Sequence, residues 1–429
     1  MRVALWLAAL FGVSVALALF VGQNQATVTL FWWPHRVDVS LNLVLLVLVV
    51  GFVLLHLTLR ALSGLISIPR QAQRWRLQQK ERAIYGALLD GLSHQIGGRF
   101  VRSRKAAELV VSLENAVQRG DDKLPYAGQL RTIAHLLAAE SAHALRDRGV
   151  RDAHFQHALD EANKREAQDA KDGVLLRAAR WAYEDRDANA SLRWLEQLPT
   201  GAGRRTLTMR LRFRAARLAG QSRVALEAVR MLTKHKAYTE TTGKSIARGL
   251  ALELIRAAYD PSQIQRAWDT LDTTEQQMPD VALEAAERLL AHGGEVSLSR
   301  QWLLPVWDAM LQSREALLPT QQVRLVRVLE RGFALQVGTP DAEWLSRVEA
   351  AQLNNPRDAA LQYLAGVMCL RLGLWGKAQQ ILKQALSLLQ MPELKRDAWR
   401  ALAELAEQRQ DSQAATHAYR EALKEAAKI

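Results

Sequence analysis

Two uncharged apolar runs near the start limit what this chain can fold into more than any other feature. Neither Val3–Val21 nor Leu41–Leu59 contains a single Lys, Arg, Asp or Glu. A helix needs roughly 20 apolar residues to cross the hydrocarbon core, so each run predicts one membrane-spanning helix. The basic residues that follow are Arg60, Arg70, Arg74, Arg76, Lys80 and Arg82, with Glu81 between them. By the positive-inside rule this flank is cytoplasmic. The loop 22–40 is then periplasmic, and the short N-terminal stretch with Arg2 returns to the cytoplasm. A cleaved signal peptide is the alternative reading of the first run; the second would then be the sole anchor.

Between the runs, Ala26–Ser40 reads ATVTLFWWPHRVDVS. Its alternation and β-branched content predict two short strands broken at Trp33-Pro34-His35-Arg36, with Trp32 and Trp33 suited to the membrane–water interface. Ser63–Lys80 reads SGLISIPRQAQRWRLQQK, punctuated by Gly64 and Pro69. It predicts a basic juxtamembrane linker in which Arg70, Arg74, Trp75 and Arg76 contact the anionic inner leaflet; the plain alternative is a solvated linker.

Beyond residue 60, Ala, Leu, Arg, Gln and Glu dominate and proline is scarce, so helix is expected and almost no strand. The strongest periodicity lies at the C-terminal end. The interval from Gly366 to Ala378 equals that from Ala403 to Ala415. Ala385, Trp399, Tyr419 and Ala422 fill out the two units. Small residues recur where two antiparallel helices would cross, the pattern of tetratricopeptide repeats. A looser version runs upstream, from a pair at 77–95 and 99–119 to one at 319–335 and 340–353. The fold class is therefore all-α: a two-helix N-terminal membrane anchor followed by a tetratricopeptide-like α-solenoid. Its segments are a transmembrane hairpin 1–62, a linker 63–80, degenerate repeats 81–353 and C-terminal tetratricopeptide repeats 354–429.

Reactive chemistry is sparse. Formal net charge is +13, but Lys and Arg lie scattered among acids with no compact basic run, which fits anionic lipid and argues against nucleic acid. A single cysteine, Cys369, excludes an intramolecular disulfide or a four-cysteine metal site and reads as a buried core thiol. There is no phosphate loop, dinucleotide fingerprint or nucleophile elbow. His135, His143, His154 and His157 fall on one predicted helix pair and are the candidate haem ligands, against the plainer reading of histidines on a solvated face. Trp181, Trp194, Trp268, Trp302, Trp307 and Trp344 read as inter-helix packing. Arg204–Arg217, RRTLTMRLRFRAAR, is either a solvated face or a basic lining for an acidic peptide, a carboxylate-rich small molecule or anionic lipid.

The whole layout resembles the HemY-type haem-biosynthesis-associated membrane proteins of proteobacteria. The matching residues are Val28, Leu30, Val37, Asp38, Ser40 and Leu41 in the loop, Ala87-Leu88-Leu89-Asp90-Gly91-Leu92, Gly98-Arg99-Phe100 and Ala106-Ala107. The resemblance implies a bacterial inner-membrane protein with a cytoplasmic repeat domain, linked to a late step of protohaem synthesis, with no catalytic residues to carry over. It is distinct from the flavin-dependent oxidase that shares the name, because no dinucleotide fold is present here. The expected function is a non-enzymatic scaffold or regulator that recruits proteins of the tetrapyrrole pathway and needs no cofactor. The alternatives are a haem- or porphyrin-binding carrier and an envelope-assembly adaptor.

Overall fold

The computed structural model describes residues 2–23, 25–119, 124–313, 315–336 and 342–428. Helix α1 (Arg2–Gln23) leads into an antiparallel hairpin of β1 (Thr27–Trp32) and β2 (His35–Ser40). Thr27 pairs with Ser40 and Trp32 with His35, around a turn at Trp33-Pro34. Side chains alternate across a strand. The register therefore gathers Val28, Leu30, Trp32, Val37 and Val39 on one face, and Thr29, Phe31, Arg36 and Asp38 on the other.

Ser40 ends β2 and caps α2 (Leu41–Ile96), its Oγ accepting from the Leu43 amide at 3.3 Å. Asn42 Nδ2 donates to the Val21 carbonyl of α1 at 3.0 Å, tying the base of the hairpin to both flanking helices. Helix α2 then runs for 56 residues without a break, a length of about 84 Å at roughly 1.5 Å per residue. Among the described residues, Leu41–Leu62 is long and apolar enough to cross a membrane, and none of it is buried within the protein. Gly64 and Pro69 do not interrupt the helix, contrary to the linker expected over 63–80. The residues around them are strong helix formers, and one proline forfeits a single hydrogen bond in a long helix rather than ending it.

The chain divides into two compact units, residues 1–170 and 171–429. In the first, the C-terminal part of α2 packs with α3 (Phe100–Arg119), which meets α4 (Ala127–Ala144) and then α5 (Arg148–Ala162). A 3-10 turn over Arg165–Ala170 closes the unit. Ile84, Ala107, Val110, Ala134 and Leu137 form its core. Gly91 sits where α2, α3 and α4 converge: a Cβ there would stand 2.9 Å from Leu137 Cδ2. Buried Ser103 donates its hydroxyl to the Gly91 carbonyl at 2.8 Å.

The second unit continues the helix pairs: α6 (Lys171–Glu184), α7 (Ala188–Glu196), α8 (Thr200–Gly203), α9 (Thr206–Leu218), α10 (Ser222–Lys234), α11 (Glu240–Arg256) and α12 (Pro261–Asp269). Then follow α13 (Thr273–Gln276), α14 (Pro279–Ala291), α15 (Val296–Gln312), α16 (Pro319–Leu335) and α17 (Ala342–Asn354). The last four are α18 (Ala359–Arg371), α19 (Trp375–Leu388), α20 (Pro392–Gln408) and α21 (Ser412–Ala426). Outside β1 and β2, the described residues contain no strand.

One turn recurs between the members of these pairs. Gly98, Arg146, Arg186, Gly220, Gly293, Gly373 and Gln410 all have φ between 61° and 75°. In each case the next residue donates its amide to the carbonyl five positions back, at 2.8–3.0 Å. This is the Schellman closure of a helix C-terminus. In three of these turns that next residue is an aspartate, Asp147, Asp187 or Asp411, whose carboxylate caps the following helix at 2.8–3.2 Å. The left-handed residues Arg186 and Gly220 stand one tetratricopeptide period apart, inside the stretch whose repeats read as degenerate.

The C-terminal packing residues occupy graded positions. A Cβ on Gly366 would stand 2.7 Å from Leu382 Cγ, so α18 and α19 touch there. Ala378, Ala385 and Ala403 are fully buried, and Ala415 and Ala422 nearly so. Trp399 is half-buried, its ring edge-on to His417 at 5.9 Å. Tyr419 differs: it is 41 % exposed, because among the described helices only α20 packs closely on α21.

Candidate functional site

A cleft of about 590 Å³ lies on the face made by α16, α18 and α20. These are the first helices of three successive pairs, packed side by side. Spacing of four along a helix puts Arg327 and Arg331 on one face of α16, and Arg396 and Arg400 on one face of α20. Arg371 joins them from α18, and Tyr419 reaches in from α21. The apolar part of the lining is buried Val367, Leu370 and Ala401 with exposed Ala334.

Three carboxylates share the cleft, and each is engaged. Asp397 accepts from Arg327 and Arg396, both at 2.8 Å. Glu404 pairs with Arg371 at 3.2 Å. Glu330 accepts from the Tyr363 hydroxyl at 2.7 Å; burial still lifts its carboxyl above the ordinary range, against the pull of that hydrogen bond. Among the described residues, Arg331 and Arg400 are exposed and make no ion pair.

Elsewhere on this face several arginines are neutralised across helices. Arg217 of α9 pairs with Glu253 of α11 at 2.7 Å, and Arg256 of α11 with Glu284 of α14 at 3.0 Å. Arg248 of α11 holds Asp280 at 2.7 Å, and Arg324 of α16 reaches Glu284 at 3.2 Å. Successive first helices are thus stitched by arginine–carboxylate pairs. The basic run 204–217 is partly absorbed in the same way: Arg205 pairs with Asp172 at 3.4 Å, and Arg217 belongs to the ladder.

In the first unit the structure brings three of the four candidate histidines together. His135 and His154 approach through their Nδ1 atoms at 3.0 Å, and the His135 and His157 rings lie 5.1 Å apart. Burial, then His154 and His157, push His135 down to about 4, so it is neutral at pH 7. His154 is likewise lowered by burial, although Glu108 opposes this. His143 stands apart, bonded to Arg151 at 3.2 Å. Among the described residues no group of three or more His, Cys, Asp or Glu is placed to hold a metal ion.

On the membrane side, Trp75 is 62 % exposed and Arg76 is exposed; the side chains of Arg70 and Arg74 lie outside the described residues. Cys369 is buried, and burial pushes its thiol up. Trp268 stacks on Trp302 at 4.7 Å, and Trp307 meets Trp344 edge-on at 5.6 Å. Trp181 is buried and Trp194 half-buried. The cleft arginines were not among the residues singled out from the sequence. Their i, i+4 spacing is visible there, but it cannot tell which arginines will find a carboxylate on the next helix.

Residues 26–146 match the family model described as HemY protein N-terminus. The chain is similar to the N-terminal part of HemY proteins over that region. The matched segment begins at the base of the hairpin, takes in α2, α3 and α4, and stops at the first Arg-Asp turn. Among solved structures, the chain is similar to the APC/C hetero-tetramer Cut9–Hcn1. There 11 % of residues are identical over 78 % of this chain and 65 % of that one, with a TM-score of 0.29. It is also similar to Naa15/Naa10 bound to HypK-THB, with 13 % identity over 80 % and 59 % and a TM-score of 0.24. The TPR domain of P58(IPK) shows 14 % identity over 76 % and 99 %, with a TM-score of 0.20. The chain thus spans less than two thirds of the first two. No curated protein matches the chain.

Proposed function

We propose that this HemY-type chain is a non-enzymatic scaffold of the bacterial inner membrane, associated with a late step of protohaem synthesis. Its two N-terminal helices span the bilayer, and the helical repeats lie on the cytoplasmic side. The observation that carries this reading is the unbroken helix α2, which runs from the apolar stretch Leu41–Leu62 into the first helical repeat. An anchor of that kind holds the first pair at the membrane surface, where Arg70, Arg74, Trp75 and Arg76 contact anionic headgroups. Proteins of the tetrapyrrole pathway docked on the repeats then meet at raised effective concentration. The apolar face of the β-hairpin lies against the opposite membrane surface, with Trp32 and Trp33 at the interface.

The test is photo-crosslinking in native membranes from exposed positions on the first-helix face, followed by mass spectrometry. Capture of tetrapyrrole enzymes is expected. Capture of envelope-assembly proteins in their place would transfer the role to an adaptor of that machinery. The gathered rings of His135, His154 and His157 favour a second reading, in which the chain carries haem or porphyrin. A Soret shift on mixing with haem that vanishes in H135A/H154A/H157A would support it, and an unshifted band would remove it.

A further inference from the structure

We propose that the cleft across α16, α18 and α20 binds an extended acidic peptide segment of a partner protein. Arg331 and Arg400 take its carboxylates, and the apolar lining of Ala334, Val367, Leu370 and Ala401 takes an apolar side chain. This deepens the scaffold reading and rests on it. Three observations lead there.

The first is the charge inventory. Five guanidiniums face three carboxylates in the cleft, and all three carboxylates are already held. Elsewhere on the same face Arg217, Arg248, Arg256 and Arg324 are paired across helices, whereas Arg331 and Arg400 are not, so the cleft carries two unmatched guanidiniums. A guanidinium offers a planar fork that matches a carboxylate in two parallel hydrogen bonds.

The second is shape. Helices pack roughly 8–10 Å apart, so three of them present a width of about 20 Å, the length of about six extended residues. A site for a compact small molecule would be mostly apolar and would enclose its ligand. This one is lined by eight charged side chains and four aliphatic ones. The third is rigidity. The flanking arginines Arg327, Arg371 and Arg396 are held by Asp397 and Glu404, so the rim is ordered before any ligand arrives and loses little entropy on binding.

The probe is a fluorescein-labelled octapeptide of alternating Glu and Leu, followed by fluorescence anisotropy with the full chain in phosphatidylcholine nanodiscs. The same peptide with Gln for Glu is the control. Binding should weaken at least about tenfold in R331E/R400E, and also between 50 and 200 mM salt, since exposed charges are screened. R331K/R400K should fall between, because it keeps charge and loses the fork. Both residues are exposed and unpaired, so neither change removes a packing contact, and an unaltered circular dichroism spectrum checks this. Equal affinity for the Gln peptide, or undiminished binding by R331E/R400E, overturns the proposal. Crosslinking from Tyr419 separates the two levels. Tetrapyrrole enzymes captured equally well by R331E/R400E leave the scaffold and reject the acidic ligand. Absence of any captured protein from every first-helix position rejects both.

Discussion

At the scale of single residues, the clearest constraint is the missing side chain at Gly366. A helix interior ordinarily prefers alanine over glycine by about 1 kcal/mol. Here an added Cβ would stand 2.7 Å from Leu382 Cγ and 3.3 Å from the Leu382 amide nitrogen, and backbone cannot step aside cheaply. Overpacking of this kind costs about 1–3 kcal/mol, enough to reverse the propensity gain. G366A should therefore lower the stability of the chain. G376A, at an exposed helical position with nothing within 4 Å, should leave it unchanged or raise it by up to about 1 kcal/mol. Denaturant midpoints of the two variants check the contrast; a stabilised G366A would mean that α18 and α19 do not approach as closely as described. Arg331 and Arg400 obey a different residue-scale rule: what matters about them is the carboxylate each lacks.

Among the elements, α2 departs most from what its residues suggest in isolation. Gly64 and Pro69 read as punctuation, yet the helix passes through both, from Leu41 to Ile96. The physical consequence is stiffness, since a continuous helix transmits the orientation of its membrane part to the first repeat, and a flexible linker does not. Nitroxides at Leu62 and Arg82, in a C369S background, should show a narrow distance distribution centred at about 30 Å, the separation that a rise of roughly 1.5 Å per residue imposes. A broad distribution in double electron–electron resonance would restore the flexible linker. The recurrent turn is the second lesson at this scale. Arg146-Asp147 and Arg186-Asp187 carry the same left-handed residue and aspartate cap as Gln410-Asp411, so the central pairs keep the turn chemistry of the C-terminal ones.

For the whole molecule, the proposed topology makes a direct prediction. Green fluorescent protein fused after residue 429 should fluoresce, and alkaline phosphatase there should be inactive, while phosphatase inserted at the Trp33 turn should be active. Phosphatase activity at the C-terminal fusion would invert the orientation and place the repeats outside. The chain's own residues determined much without any tertiary information. Apolar run length marked Leu41–Leu59 as able to span, because that property depends on composition alone. The alternation in 26–40 marked the hairpin, and the spacing of small residues marked Gly366, Ala378 and Ala403 as crossing points, because periodicity is local. Tertiary structure alone decided the rest. It joined the anchor to the first repeat, gathered His135, His154 and His157 while leaving His143 with Arg151, and left Tyr419 exposed. It also paired Arg217, Arg248, Arg256 and Arg324 with carboxylates of neighbouring helices and left Arg331 and Arg400 without one. The reason is common to these cases: a charge or a ring acquires its role from what stands opposite it on another helix, and that partner lies far away along the chain.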